Sequence, residues 1–304
     1  YLYSRDPTWN RNLDNEQLFF YSYAEYQQKI SYIFLQMFLL LNYEIAFFIL
    51  LIYMHKDNKK VYAAILIIGN EILSGRTKDQ NTADISIWLN SNGVQVKEVR
   101  IIPDVEKIII ANINKLRATY DYVFTTGGIG PTHDDITAQS VSRAFKKKYS
   151  PHKEAYRILE NYYKPGEFNE GRKRMAMMPE NANLIYNPSS GAPGFYIENV
   201  FCLPGVPDIM KSMLPFLKDK IFGGKKVLSK TISVETVESE IAKELTKTQN
   251  KFKHIEIGSY PFFRSGKIGV SIVIRSENQK EIEKCSKKII DFMVKKSIKL
   301  VERN

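Results

Sequence analysis

Two hydrophobic periods alternate along most of the chain. VYAAILIIG (61–69) is an unbroken apolar run, the pattern of a strand buried on both faces of a parallel sheet. TADISIWLNSNG then sets Ile85, Trp88 and Leu89 on one helical face and ends at Gly93, placed as a helix stop. VQVKEVRII predicts a second strand and VEKIIIANINKLRA a second helix. YDYVFTT and ITAQSVSRAFKKK predict a third pair. Strands separated by helices imply right-handed crossovers and a mostly parallel sheet, with ligands beyond the carboxyl ends of its strands.

The pattern then loosens. Residues 150–182 read as a helical excursion broken at Pro165-Gly166 and Pro179. LIYN and NVFCL predict further strands with SSGAPGF between them, and VPDIMKSMLPFLKDKIF predicts one helix. After Gly223-Gly224 the order is strand (KVLSKTISVE), helix (TVESEIAKELTKTQ), strand (HIEIGSY), strand (IGVSIVIRS), helix (QKEIEKCSKKIIDFMVKK). The expected fold class is therefore α/β, a mostly parallel sheet over 61–223, followed by a small α+β domain (βαββα) over 224–304.

Residues 1–60 stand apart as a leader. IFLQMFLLLNYEIAFFILLIYM (33–54) has the length of a bilayer crossing, but Gln36, Asn42 and Glu44 are costly there. No signal-peptide pattern precedes it, and the chain opens on Tyr1. The two expectations are upstream sequence read in frame before a natural start at Met54, or a membrane anchor; the polar residues favour the first.

Composition narrows the function classes. With 44% hydrophobic and 25% charged residues the chain is globular. Its net charge of +11 could suggest nucleic acid, but 18 Lys/Arg against 10 Asp/Glu after residue 224 place +8 of it in the last domain. There the lysines are scattered among glutamates on helix faces, without an aromatic platform for single strands, so a solvated surface is expected and no nucleic-acid partner. Two cysteines without ligand spacing fit a reduced, cytoplasmic protein with neither disulfides nor zinc.

Candidate chemistry gathers at predicted strand ends. GNEILSGR presents Glu71 and Arg76, and Pro103-Asp104 follows the second strand. FTTGGIGPTHDDIT follows with Gly127, Gly128 and Gly130, which suit a backbone cradle for an anion, and with the acids Asp134 and Asp135. Ser190 and Gly191 in SGAPG, and Gly205 in LPGVP, add two small-residue loops. Each has a plainer reading: Asp104, and Asp134 or Asp135, could cap the helices that follow them, and His133 could be solvated.

GNEILSGR, RIIPD, TTGGIGPTHDDIT, SGAPGF and LPGVP, in this order, resemble the MoaB/Mog molybdopterin-binding domain family, and in particular the branch containing the N-terminal domain of CinA. The C-terminal unit with EIGSYP resembles the small domain that follows in CinA-like proteins and in the molybdopterin-binding-like part of eukaryotic FAD synthases. The resemblance implies a three-layer α/β fold whose glycine loop takes phosphate or pterin. It also implies that Asp104 and Asp135 act at the pterin–nucleotide site. Asp134 stands where many molybdenum-cofactor relatives carry a basic residue, and the CinA branch an acid. That difference favours the pyrophosphatase activity of CinA-type and FAD-synthase-type domains.

A phosphate cradle containing carboxylates makes sense if a divalent cation (Mg, Mn or Co) lies between acids and phosphates. Asp104, Asp134 and Asp135 are the expected metal-holding and catalytic set. Gly127, Gly128 and Gly130 are expected to bind the ligand with Glu71, Arg76, Ser190, Gly191 and Gly205. The leading expectation is a metal-dependent hydrolase of a nucleotide diphosphate such as ADP-ribose or FAD. The alternatives are a molybdenum-cofactor biosynthesis protein that takes molybdopterin, and a non-catalytic nucleotide- or pterin-binding module. A homo-oligomer is among the expected states.

Overall fold

A computed structural model describes residues 60–264 and 266–301 of the chain. The larger domain begins with β1 (Val61–Ile68), α1 (Asn70–Leu73), α2 (Asn81–Ser91), β2 (Val94–Ile102), α3 (Glu106–Thr119) and β3 (Tyr122–Thr126). It continues with α4 (Thr137–Ala144), β4 (Tyr149–Pro151), α5 (Lys153–Tyr162), α6 (Glu170–Arg174) and β5 (Met177–Pro179). The last elements are β6 (Asn183–Ile185), β7 (Gly194–Ile197), β8 (Val200–Leu203) and α7 (Pro207–Met213).

Six strands form one sheet in the order β2-β1-β3-β8-β7-β6, parallel from β2 to β8 and antiparallel beyond. β1 shows why its sequence lacks alternation. Ala64, Leu66 and Ile68 lie in one apolar core with Ile109, Ile113 and Val141. Ala63, Ile65 and Ile67 lie in a second with Ile85, Leu89 and Met210. Helices therefore cover both faces, giving three layers as expected. Truncating a fully buried side chain such as Ile65 to Ala costs about 2–5 kcal/mol.

Local chemistry explains where elements depart from the pattern. The helix expected over 206–222 is α7 followed by a 3₁₀ stretch, Leu214–Lys220, because Pro215 has no N–H to continue the α ladder. The excursion over 150–182 carries α5 and α6, but also an antiparallel ribbon of β4 and β5. The end of the SSGAPGF connection belongs to a strand, β7 (Gly194–Ile197), which folds back on β8 through Glu198, whose φ is 50°.

The smaller domain has β9 (Leu228–Val234), α8 (Glu238–Lys251), β10 (Glu256–Arg264), β11 (Lys267–Ser276), α9 (Gln279–Lys295) and β12 (Leu300–Val301). Its antiparallel sheet, ordered β10-β11-β9-β12, packs Ile232, Val270 and Ile272 against Ile241, Ile282 and Ile289 of the two helices. β10 runs past Pro261 because it is an edge strand, where a missing N–H is tolerated.

The two domains meet backbone to backbone. The Gly224 N–H donates to the Gly93 carbonyl at 3.0 Å. A Cβ on Gly223 would lie 1.7 Å from the Asn92 carbonyl oxygen, and one on Gly93 2.2 Å from that of Gly224. These glycines serve close approach as well as the turn. The apolar 33–54 segment falls outside the described residues. Among those described, no helix is long and apolar enough to cross a membrane.

Candidate functional site

Loops leave the sheet at the carboxyl ends of β1, β2, β3 and β8, all on one edge. Backbone contacts lock them together. The Gly69 N–H donates to the Ile102 carbonyl and the Gly127 N–H to the Leu203 carbonyl, each at 3.1 Å. Gly127 has a φ of 97°, and a Cβ there would lie 2.1 Å from the Ile68 carbonyl oxygen. No other residue fits that position.

Beyond this lock the chain exposes donors. Among the described residues, the N–H groups of Gly128, Ile129 and Gly130 meet no acceptor. All three residues line an open cleft of about 530 Å³, a size suited to a small ligand. The cleft also gathers Glu71, Gly127, Asp135, Ser190 and Gly205. Arg76, Asp104, Asp134 and Gly191 are not among its walls. Arg76 is exposed on the loop after α1. Gly191 packs under the Tyr162 ring, 2.6 Å from where a Cβ would stand.

The aspartates have specific partners, and helix capping is not what holds them. α3 and α4 start at Val105 and Ile136 without any side-chain cap. Asp104 instead reaches across to accept the Asn70 N–H at 2.9 Å, at the start of α1. Asp135 accepts the N–H of Thr132 at 2.7 Å and the Thr132 hydroxyl as well, closing a turn inside the glycine loop. Its carboxylate fills the space beside Gly130, where a Cβ would lie 2.7 Å from Oδ2.

Electrostatics set the acids apart from one another. Burial raises the Asp104 carboxyl above the usual aspartate range; the Asn70 amide opposes this, and the charges of Glu71 and Asp134 add to it. The exposed Asp134 is held below that range, chiefly by its hydrogen bond with Thr132. Among the described residues none of Glu71, Asp104, Asp134 and Asp135 forms an ion pair. The described residues also contain no group of three or more His, Cys, Asp or Glu placed to hold a metal ion.

Four residues of the site escape a reading by motif. Asn187 is buried and organises the SGAPG loop: its Oδ1 accepts the N–H groups of Ser189 and Ser190, and its Nδ2 donates to Ser190 Oγ and the Ala192 carbonyl. The Asn-Pro pair was the available signal. Asn81 donates to the Gly205 carbonyl at 2.9 Å, joining α2 to the last loop. Thr137 donates to the Gly127 carbonyl at 2.9 Å. Arg174 reaches the region from α6, at the end of a basic run without a distinguishing pattern.

The same architecture is found in known proteins. Residues 64–222 match the family model described as "Probable molybdopterin binding domain". The chain belongs to this molybdopterin-binding-domain family. Residues 226–302 match a second model, "FAD synthase, middle domain". A protein of Pyrococcus abyssi is 34% identical over 259 residues, covering 79% of this chain and 98% of that one. A "Probable FAD synthase" of Caenorhabditis elegans is 28% identical over 247 residues, covering 73% of this chain and 48% of that protein. The solved structure of CinA of Thermoplasma acidophilum, a protein of unknown function, aligns with a TM-score of 0.50 and 29% identity. It covers 53% of this chain and 99% of that one. Family membership implies a small-molecule ligand of pterin or nucleotide type.

Proposed function

We propose that this protein hydrolyses the diphosphate of a nucleotide such as ADP-ribose or FAD with the help of a divalent cation. The observation that carries the reading is the run of three unaccepted N–H groups in Gly128, Ile129 and Gly130, residues that line a ligand-sized cleft. Such a run is a site for phosphate oxygens, and its backbone is fixed in advance by the Gly127 and Thr137 contacts.

The acids fit a cation. Among the described residues Glu71, Asp104 and Asp134 form no ion pair; burial first, and then the charges of Glu71 and Asp134, raise the Asp104 carboxyl. A magnesium-type ion commonly takes one or two carboxylates and completes its shell with substrate phosphates and water. Asp104 and Asp134 would hold it, with Asp135 shaping the loop and offering its free oxygen. When bound, the ion would neutralise phosphate charge and polarise the phosphoryl group.

The residues of the chain supply the rest. The Gly128–Gly130 amides orient one phosphate, and the Asn187-ordered loop with Ser190 closes the opposite wall. Asp104 takes a proton from the attacking water as its oxygen bonds to phosphorus and the bridging P–O bond breaks, leaving two monophosphates. A pterin reading keeps one observation in its favour, the description of the family model over 64–222.

The test is turnover by the full chain of ADP-ribose and FAD with Mg²⁺, Mn²⁺ or Co²⁺. Cation-dependent release of two monophosphates is expected. Nucleotide binding without turnover would reduce the protein to a binding module. Molybdopterin binding with no nucleotide binding would replace the reading altogether.

A further inference from the structure

Three basic residues end α6, and two are already engaged. Arg172 lies over the Tyr163 ring, 4.0 Å from its centroid, and donates to the Glu167 carbonyl. Lys173 pairs with Glu170 at 2.7 Å. Arg174 alone, half-buried, has neither hydrogen bond nor ion pair among the described residues.

Its position is fixed by the loop it faces. α6 is capped by Asn169, which accepts the Arg172 N–H at 3.0 Å. It rides on the glycine loop itself: a Cβ on Gly171 would stand 3.5 Å from the Pro131 carbonyl oxygen. Arg174 thereby walls a narrow neck of about 10 Å³, room for about one water. The neck shares Gly130 and Asp135 with the main cleft. Among the described residues lining cleft and neck, Arg174 is the one basic side chain.

We propose that Arg174 binds the second phosphate of the ligand, next to the phosphate held on the Gly128–Gly130 amides, and so selects diphosphates over monophosphates. This rests on the diphosphate reading above and deepens it. A diphosphate brings more negative charge than one divalent cation can offset beside four acids that form no ion pair among the described residues, and Arg174 already bears on one of them, Asp134. A planar guanidinium with its donors unspent, across a one-water neck from Gly130, supplies the missing countercharge and a forked contact to two phosphoryl oxygens.

The experiment is calorimetric titration of the full chain, in Mg²⁺, with AMP and with α,β-methylene-ADP, whose bridge resists hydrolysis. Wild type is expected to bind the diphosphate more tightly. Arg174→Met should weaken the diphosphate about tenfold or more while changing AMP less than about twofold. Arg174→Lys should recover part of the loss. The melting temperature of Arg174→Met should change little, since no hydrogen bond or ion pair is lost and only the longer-range attraction to the exposed Asp134 goes. Equal loss for both nucleotides, no loss for either, or a lowered melting temperature with parallel weakening would overturn the assignment. Wild type that binds neither nucleotide would instead overturn the diphosphate reading on which it rests.

Discussion

Asp104 sits half-buried beside Glu71 and Asp134, with the Asn70 amide to steady its charge. Its folded pKa lies above the unfolded value, so ionising it opposes folding. The penalty is absent below the ordinary aspartate range, grows as pH rises through it, and is complete above the raised pKa. Asp104→Asn keeps an acceptor for Asn70 and removes that penalty. Its melting temperature should therefore exceed wild type at neutral pH, and the gain should vanish in acid. If Asp104 is the proposed proton acceptor and cation ligand, turnover should move the other way, falling on the order of a hundredfold or more. A variant that is both less stable at neutral pH and fully active would contradict both roles. Asp135 makes a different prediction. Asn in its place still accepts from Thr132, whereas Asp135→Ala leaves that amide without an acceptor and should cost about 1 kcal/mol in chemical denaturation. If Asp135→Asn also retains full cation-dependent turnover, the acid belongs to the loop's architecture alone.

At the scale of elements, the glycine loop depends on backbone packing more than on flexibility. Gly127→Ala would drive a Cβ against the Ile68 carbonyl, which belongs to the central strand and has no room to retreat. Gly166 has a comparable φ of 84°, yet nothing lies within 4 Å of its added Cβ. Gly166→Ala should thus cost only the left-handed backbone penalty, about 1–2 kcal/mol, and Gly127→Ala distinctly more, on the order of 4 kcal/mol. Equal losses in thermal melts would mean that the loop relaxes. Much of this edge was legible in the sequence, because buried parallel strands announce themselves as apolar runs and their ends as Gly, Pro and Asp. Glu71, Asp135, Ser190, Gly205 and the three glycines do meet in one cleft. What stayed hidden was set by contacts distant along the chain. Asp104 reaches an amide 34 residues away, which no local capping rule foresees. Arg174 looks like its two basic neighbours until their partners are known, and β7 needed its hairpin partner β8 to be recognised as a strand.

Across the whole molecule, the described residues lie in one compact unit in which the smaller domain meets the larger at Gly93, Gly223 and Gly224. Gly223→Ala would place a Cβ 1.7 Å from the Asn92 carbonyl oxygen, so the backbone at the junction must shift to admit it. Limited proteolysis should then cut the variant near residues 222–226 much faster than wild type; identical digestion patterns would mean that the junction already yields. The proposed function places a diphosphate on the unaccepted amides of the glycine loop. The most direct measurement follows every backbone amide of the chain at once, by nitrogen–proton correlation spectra during titration with α,β-methylene-ADP. The amides of Gly128, Ile129 and Gly130 should shift most and saturate together. Saturable binding that leaves these three amides unmoved and shifts others would contradict it.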